Sequence, residues 1–231
     1  MKLVIEQLKK DFKDKQVLKG ASFEFESGKI YGLLGKNGAG KTTLFNIIYG
    51  ELEKNDGRFY LEENGETLEI NYEHVGMLFS ENFLPDFLTG YEFVKFFNDL
   101  NGDGQTPDHY LDLMDFSRED RHLLIKDYSH GMKSKLSLLS IIIGKQKIIL
   151  LDEPLTSIDV VMAAEIKKIL KALKKDHILI LSTHILELAN DLCDEIVILH
   201  DGQLMPFEHL QNDEHFERKI VELLKESKKN D

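Results

Sequence analysis

The sequence predicts an α/β fold: a mainly parallel sheet at its core, a β-rich first third with an antiparallel hairpin, and a helical insertion. Three observations carry this. Apolar runs at 30–34, 147–151 and 178–181 are short and unbroken, as expected for strands buried on both faces of a parallel sheet. A helical pattern separates the last two and completes a βαβ unit. Between 86 and 144, apolar residues recur instead at three- and four-residue spacing, so a block of helices interrupts the strands.

Taken in order, 3–8 and the alternation of Phe23 and Phe25 around Glu24 read as strands. The run at 30–34 leads into a glycine-rich turn, after which Leu44, Ile47 and Ile48 fall at helical spacing and Gly50 supplies a stop. Asn64-Gly65 sits between two apolar runs within 59–70 and marks a hairpin. Tyr91, Val94 and Phe97, then Leu136, Leu139, Ile142 and Ile143, trace helix faces. Ile166, Ile169, Leu170 and Leu173 form another apolar stripe, and Lys167, Lys168, Lys171, Lys174 and Lys175 read as the solvated face of that helix. A strand at 195–200 meets the turn Asp201-Gly202 and leads into 203–207. The remainder is highly charged, with a thin apolar set at Phe216, Ile220, Leu223 and Leu224. The expected organisation is one domain over 1–210, with core and β-subdomain at about 1–85 and 145–210 and a helical subdomain at about 86–144; a charged helical tail follows at 211–231.

A chain of 231 residues can bury a large core. The lone Cys193 excludes a disulfide framework, and no apolar stretch approaches a membrane span; the most apolar segment, 136–143, contains two serines. A soluble protein of a reducing compartment is expected. The formal charge of −12, from 41 acids against 29 bases, repels a phosphate backbone and argues against nonspecific nucleic-acid binding.

The turn after the first buried run reads Gly35-Lys36-Asn37-Gly38-Ala39-Gly40-Lys41-Thr42, followed by Thr43, and fits G-x-x-x-x-G-K-[ST]. Glycines let the backbone curl around an anion, so that N–H groups and a helix N-terminus point at phosphate oxygens. Lys41 then reaches the β- and γ-phosphates, and the Thr42 hydroxyl is placed to ligate the Mg²⁺ that bridges them. The segment predicts a nucleoside triphosphate site; a ligand-free glycine turn is the bland alternative.

A second constellation follows in Ile148-Ile149-Leu150-Leu151-Asp152-Glu153. Asp152 at the end of a buried strand can hold Mg²⁺ through water, and Glu153 can polarise an attacking water. An acidic strand end could instead serve only a salt bridge or a helix cap. His184, in Ser182-Thr183-His184, ends the next strand at the same sheet edge, where it reads either as a γ-phosphate sensor or as a structural histidine.

In this order the motifs resemble the ATP-binding-cassette (ABC) family over nearly the whole chain, which implies a RecA-like P-loop NTPase fold with an N-terminal antiparallel β-subdomain, and ATP with Mg²⁺ as ligand. Tyr128-Ser129-His130-Gly131-Met132-Lys133 looks like the family's signature motif, and Glu153-Pro154-Leu155-Thr156-Ser157-Ile158-Asp159 like the exit of its Walker B strand and its D-loop. Phe12, followed by Val17 and Leu18, sits where the family stacks an aromatic on adenine; taken alone, Phe12 reads as a core residue. The resemblance implies two cassettes paired head to tail, with Ser129 and Gly131 of one facing the γ-phosphate held by the other. It also implies a separate transmembrane permease that holds the chain at the inner face of the cell membrane, docked around 83–97. The text 88–92 and 128–132 is most similar to exporter cassettes of the drug, bacteriocin and ABC-2 type.

Two positions depart from the pattern. Ser80, with Glu81 next, stands where the family carries the Gln that touches Mg²⁺ and the attacking water, and His130 stands at the first glycine of the signature. Both bear on the rate of hydrolysis rather than on nucleotide binding. A soluble non-transport ATPase and a slow, regulatory cassette are the alternatives to a transport ATPase.

Overall fold

A computed structural model describes residues 1–13, 15–80, 83–101, 104–156, 158–207 and 220. In chain order its first elements are β1 (Lys2–Phe12), β2 (Lys15–Glu26), β3 (Ile30–Leu34), α1 (Lys41–Tyr49), β4 (Asp56–Glu63), β5 (Glu66–Leu68) and β6 (Val75–Leu78). The insertion holds α2 (Gly90–Asn101), α3 (Pro107–Leu113), 3₁₀ turns at Asp120–His122 and Ile125–Asp127, and α4 (His130–Gly144). The chain then alternates through β7 (Ile148–Asp152), α5 (Val160–Leu173), β8 (Ile178–Ser182), α6 (Leu186–Leu192), β9 (Glu195–His200) and β10 (Gln203–Phe207).

Two sheets result. The first is antiparallel, in the order β2-β1-β4-β5. Asn64 and Gly65, at φ 53° and 83°, join β4 to β5 as the two-residue turn that this dipeptide favours. The second runs β10-β9-β3-β8-β7-β6 and is parallel throughout except for β10. The mainly parallel core, the antiparallel subsheet and the helical block are therefore all present. Sequence alternation alone understates the first sheet: β1 extends to Phe12 and β2 starts at Lys15, because cross-strand pairing holds polar residues that carry no apolar signal.

The alternation of side chains along the parallel strands creates two cores. Ile149, Leu151, Leu179 and Leu181 face α4, α5 and α6, while Ile148, Leu150, Ile178 and Ile180 pack with Leu44, Phe45, Ile47 and Ile48 of α1. The same core includes Leu3, Ile5, Leu8 and Leu61 of the antiparallel sheet, so α1 lies buried between the two sheets. Gly50 at φ 93° ends α1, its N–H bonding the carbonyls of Asn46 and Ile47.

Lys168, Lys171 and Lys175 lie exposed as expected of a solvated face, whereas Lys167 and Lys174 pair with Asp191 at 2.6 Å and Asp194 at 2.7 Å. Of the expected tail helix only Ile220 is described, fully buried in the core of the helical side; the rest of that expectation lies outside the described residues.

Candidate nucleotide site

The carboxyl ends of β3, β7 and β8 converge on the N-terminus of α1. Asp152 and Ser182 are register partners on β7 and β8, so the next residues of both strands leave the sheet side by side. At that edge Thr42 Oγ1 donates to Asp152 Oδ2 at 3.0 Å, and Ser182 Oγ donates to Asp152 Oδ1. Glu153 follows at φ 52°, a left-handed conformation that glutamate rarely adopts. Its N–H is held by the backbone and side-chain oxygens of Ser182, both at 3.2 Å. His184 Nδ1 lies 2.9 and 3.0 Å from the two carboxylate oxygens of Glu153; with that carboxylate ionised, Nδ1 carries the proton of the contact.

The loop between β3 and α1 is shaped for close approach. Gly38 and Gly40 have φ of 76° and 108°, and a Cβ on Gly40 would stand 2.6 Å from Val17 Cγ1. A Cβ on Gly35 would meet the Leu199 carbonyl at 2.7 Å. Helix α1 starts at Gly40 with no side-chain cap and no acid in its first turn, whereas Thr106, Ser129 and Asp159 cap α3, α4 and α5. Its first N–H groups and dipole are thus presented as an anion site. Lys41 is buried, and its ammonium donates to the carbonyls of Gly35 at 2.8 Å and Lys36 at 3.4 Å. Burial holds its pKa below the ordinary lysine value, against the opposing pull of Glu153 and Asp152.

These groups border a cavity of about 490 Å³, lined by Phe12, Lys15, Val17, Asn37, Gly38, Gly40 to Thr43, Ser80, Asp152 and Glu153. Phe12 is not a core aromatic: it is 43% exposed at the tip of β1, with the Lys10 ammonium 4.9 Å over its ring. Gly35, Lys36, Asn37 and His184 border a neighbouring cavity of about 320 Å³, and Lys36 to Ala39 a third of about 180 Å³.

The signature residues lie elsewhere. Ser129 caps α4, accepting the Met132 N–H at 3.2 Å, which leaves its own hydroxyl proton free to donate. His130 is exposed and opens α4, while Gly131 packs so closely on α5 that a Cβ would stand 2.7 Å from Met162 Cγ. Asp159 caps α5 through the N–H groups of Val161 and Met162, both at 3.0 Å. None of Ser129, His130, Gly131, Met132 and Asp159 lines the cavity holding Lys41. Glu81 and Ser157 lie outside the described residues. Two residues at the site had no role assigned from sequence: Lys15, which reaches the cavity as the cross-strand partner of Phe12, and Ser182, whose hydroxyl fixes both Asp152 and Glu153.

The family model described as ABC transporter matches residues 18–156, from β2 through the loop and the signature segment to the residues just after Glu153. The chain belongs to the ABC transporter family. It is 35% identical over 219 residues to an uncharacterized ABC transporter ATP-binding protein of Methanocaldococcus jannaschii, covering 91% of this chain and 79% of that one. It is 34% identical over 195 residues to a fluoroquinolones export ATP-binding protein of Mycobacterium tuberculosis, covering 81% of this chain and 64% of the relative. The solved structure of an ATP binding subunit of an ABC transporter superposes with a TM-score of 0.75 at 24% identity, over 97% of this chain and 95% of that one. The cassette fold thus accounts for both sheets and the helical block. Within this ABC chain His184 and Asp159 fall beyond the matched segment, so their placement rests on the geometry above.

Proposed function

We propose that the chain binds Mg-ATP in the cavity between Phe12 and Glu153 and hydrolyses it as the ATPase subunit of an ABC transporter. The observation that carries this is the convergence of Lys41, the Thr42–Asp152 pair and the His184–Glu153 pair at one sheet edge. In this reading the base lies against Phe12 and Val17, and the backbone of 35–43 wraps the phosphates with Lys41 among them. Among the described residues no group of three or more His, Cys, Asp and Glu side chains could hold a metal. Thr42 and Asp152 offer hard oxygens instead, which suits a cation that takes its remaining ligands from phosphate and water. Thr42 and Asp152 would hold a magnesium ion there, which would supply charge neutralisation for the phosphates. Glu153 accepts the proton of the attacking water, and His184 orients that carboxylate. Ser80 lines the same space on a shorter side chain than glutamine, which favours slow turnover as a second reading.

Ser129, His130, Gly131, Met132 and Asp159 complete the reading from across an interface, on a second cassette. Among the described residues no helix is long and apolar enough to cross a membrane. In this reading the transport path is supplied by a transmembrane permease that holds the cassette at the inner face, as the kinship with exporter ATP-binding proteins supports. Phe83 and Phe87, exposed at 77% and 78%, together with Phe96, offer it an aromatic surface. The relative named for fluoroquinolone export supports an exporter. The test is ATP hydrolysis by the purified chain. Activity is expected to vanish with EDTA and return with Mg²⁺, and Asp152→Asn is expected to raise the Mg²⁺ requirement at least tenfold. Turnover indifferent to both treatments contradicts the assignment.

A further inference from the structure

The cavity has two cationic side chains in its lining, and the phosphate loop accounts for one of them. The other is Lys15, at the first position of β2 and directly across from Phe12 in the β1–β2 register. Lys41 is already engaged by the carbonyls of Gly35 and Lys36, whereas Lys15 makes no ion pair with any described residue. Asp152 and Glu153 set two carboxylates against these two ammoniums, in a chain whose formal charge is −12. A polyanionic ligand therefore gains from every additional cation at this site.

The geometry points to Lys15 as a second phosphate-binding residue, acting on the phosphate nearest the sugar. This rests on the nucleotide reading above and extends it to a residue outside the loop. Thr42, Asp152 and Glu153 mark the end of the cavity that takes the metal and the terminal phosphate, and Phe12 marks the end that takes the base. Between them the hairpin wall touches the loop, where Val17 closes against Gly40. A ligand stretched from Phe12 to Glu153 must pass its first phosphate beside that wall. Cross-strand partners stand roughly 5 Å apart, and a lysine stem extends about 6 Å, so an ammonium on Lys15 can serve the phosphate next to a base lying on Phe12. The contact is a charge-assisted hydrogen bond at a solvent-exposed rim, strong enough to shift affinity but not to determine it.

Equilibrium binding of ATP, ADP, AMP, adenosine and GTP to the full chain, its Lys15→Met variant and its Lys15→Arg variant tests this. Lys15 is exposed, so neither change threatens folding. Lys15→Met is expected to weaken ATP, ADP, AMP and GTP alike, by about three- to tenfold, and to leave adenosine unchanged. Lys15→Arg should restore binding to within about twofold, and rising salt should shrink the difference between wild type and Lys15→Met. Weakened ATP with unchanged ADP and AMP would move the contact to the terminal phosphate and overturn the inference. So would an equal loss for adenosine, or no loss for any ligand. A wild-type chain that binds no nucleotide would instead defeat the nucleotide reading itself, and this inference with it.

Discussion

Glu153 occupies a left-handed backbone conformation, and Ser182 holds it there through two hydrogen bonds to a single N–H. Such a conformation costs about 1–3 kcal/mol and persists only when neighbours over-determine it. Here it turns the carboxylate out of the strand and onto His184. Gly40 has a comparable constraint, since an alanine would combine φ 108° with a Cβ 2.6 Å from Val17. Gly40→Ala is therefore expected to weaken ATP binding at least tenfold while lowering the melting temperature by only a few degrees; unchanged binding in a titration would show that the loop tolerates the shift. The loop and the Asp152-Glu153 pair were legible because their residues are contiguous and their chemistry depends on spacing. Lys15 was not: a lysine at a hairpin tip looks like any surface lysine until pairing places it opposite Phe12. The strain at Glu153 was equally hidden, because side-chain type says nothing of a positive φ at glutamate.

Among the elements, α4 begins at the signature segment and depends on the helical block beneath it. Arg121 is the hub of that block. Its side chain is 9% exposed, and it donates to the Phe116 carbonyl at 3.1 and 2.9 Å, to Asp108 at 2.6 Å and to Asp112. The two aspartates are solvent-facing and add little, but among the described residues only Arg121 donates to the Phe116 carbonyl. Arg121→Met should then cost about 1–3 kcal/mol, read as a lower urea midpoint, and leave the phosphate loop's affinity for ADP unchanged. A matching loss of ADP affinity would mean that the helical block and the loop are coupled. Tyr128 anchors the approach to α4, its hydroxyl donating to the Asp120 carbonyl at 2.7 Å, and burial pushes its phenol up to about 12. Helix faces in this block were readable from periodicity, as were the buried strands. The 3₁₀ turns at 120–122 and 125–127 were not, because hydrogen bonds around Arg121 and Tyr128 rather than apolar spacing define them.

For the whole molecule, the division of labour follows from where the groups lie. The cavity gathers Phe12, residues of the loop at 35–43 and the carboxylates of Asp152 and Glu153, while Ser129, His130, Gly131 and Asp159 stand outside its lining. That separation fits the proposed composite site, in which one chain supplies the loop and another the signature. Glu153 is proposed to act in hydrolysis and not in holding ATP. Turnover and ATP affinity measured side by side for wild type and Glu153→Gln test it most directly. The variant is expected to bind ATP within about threefold of wild type and to hydrolyse it at least a hundredfold more slowly; equal hydrolysis by the two proteins would remove Glu153 from that role.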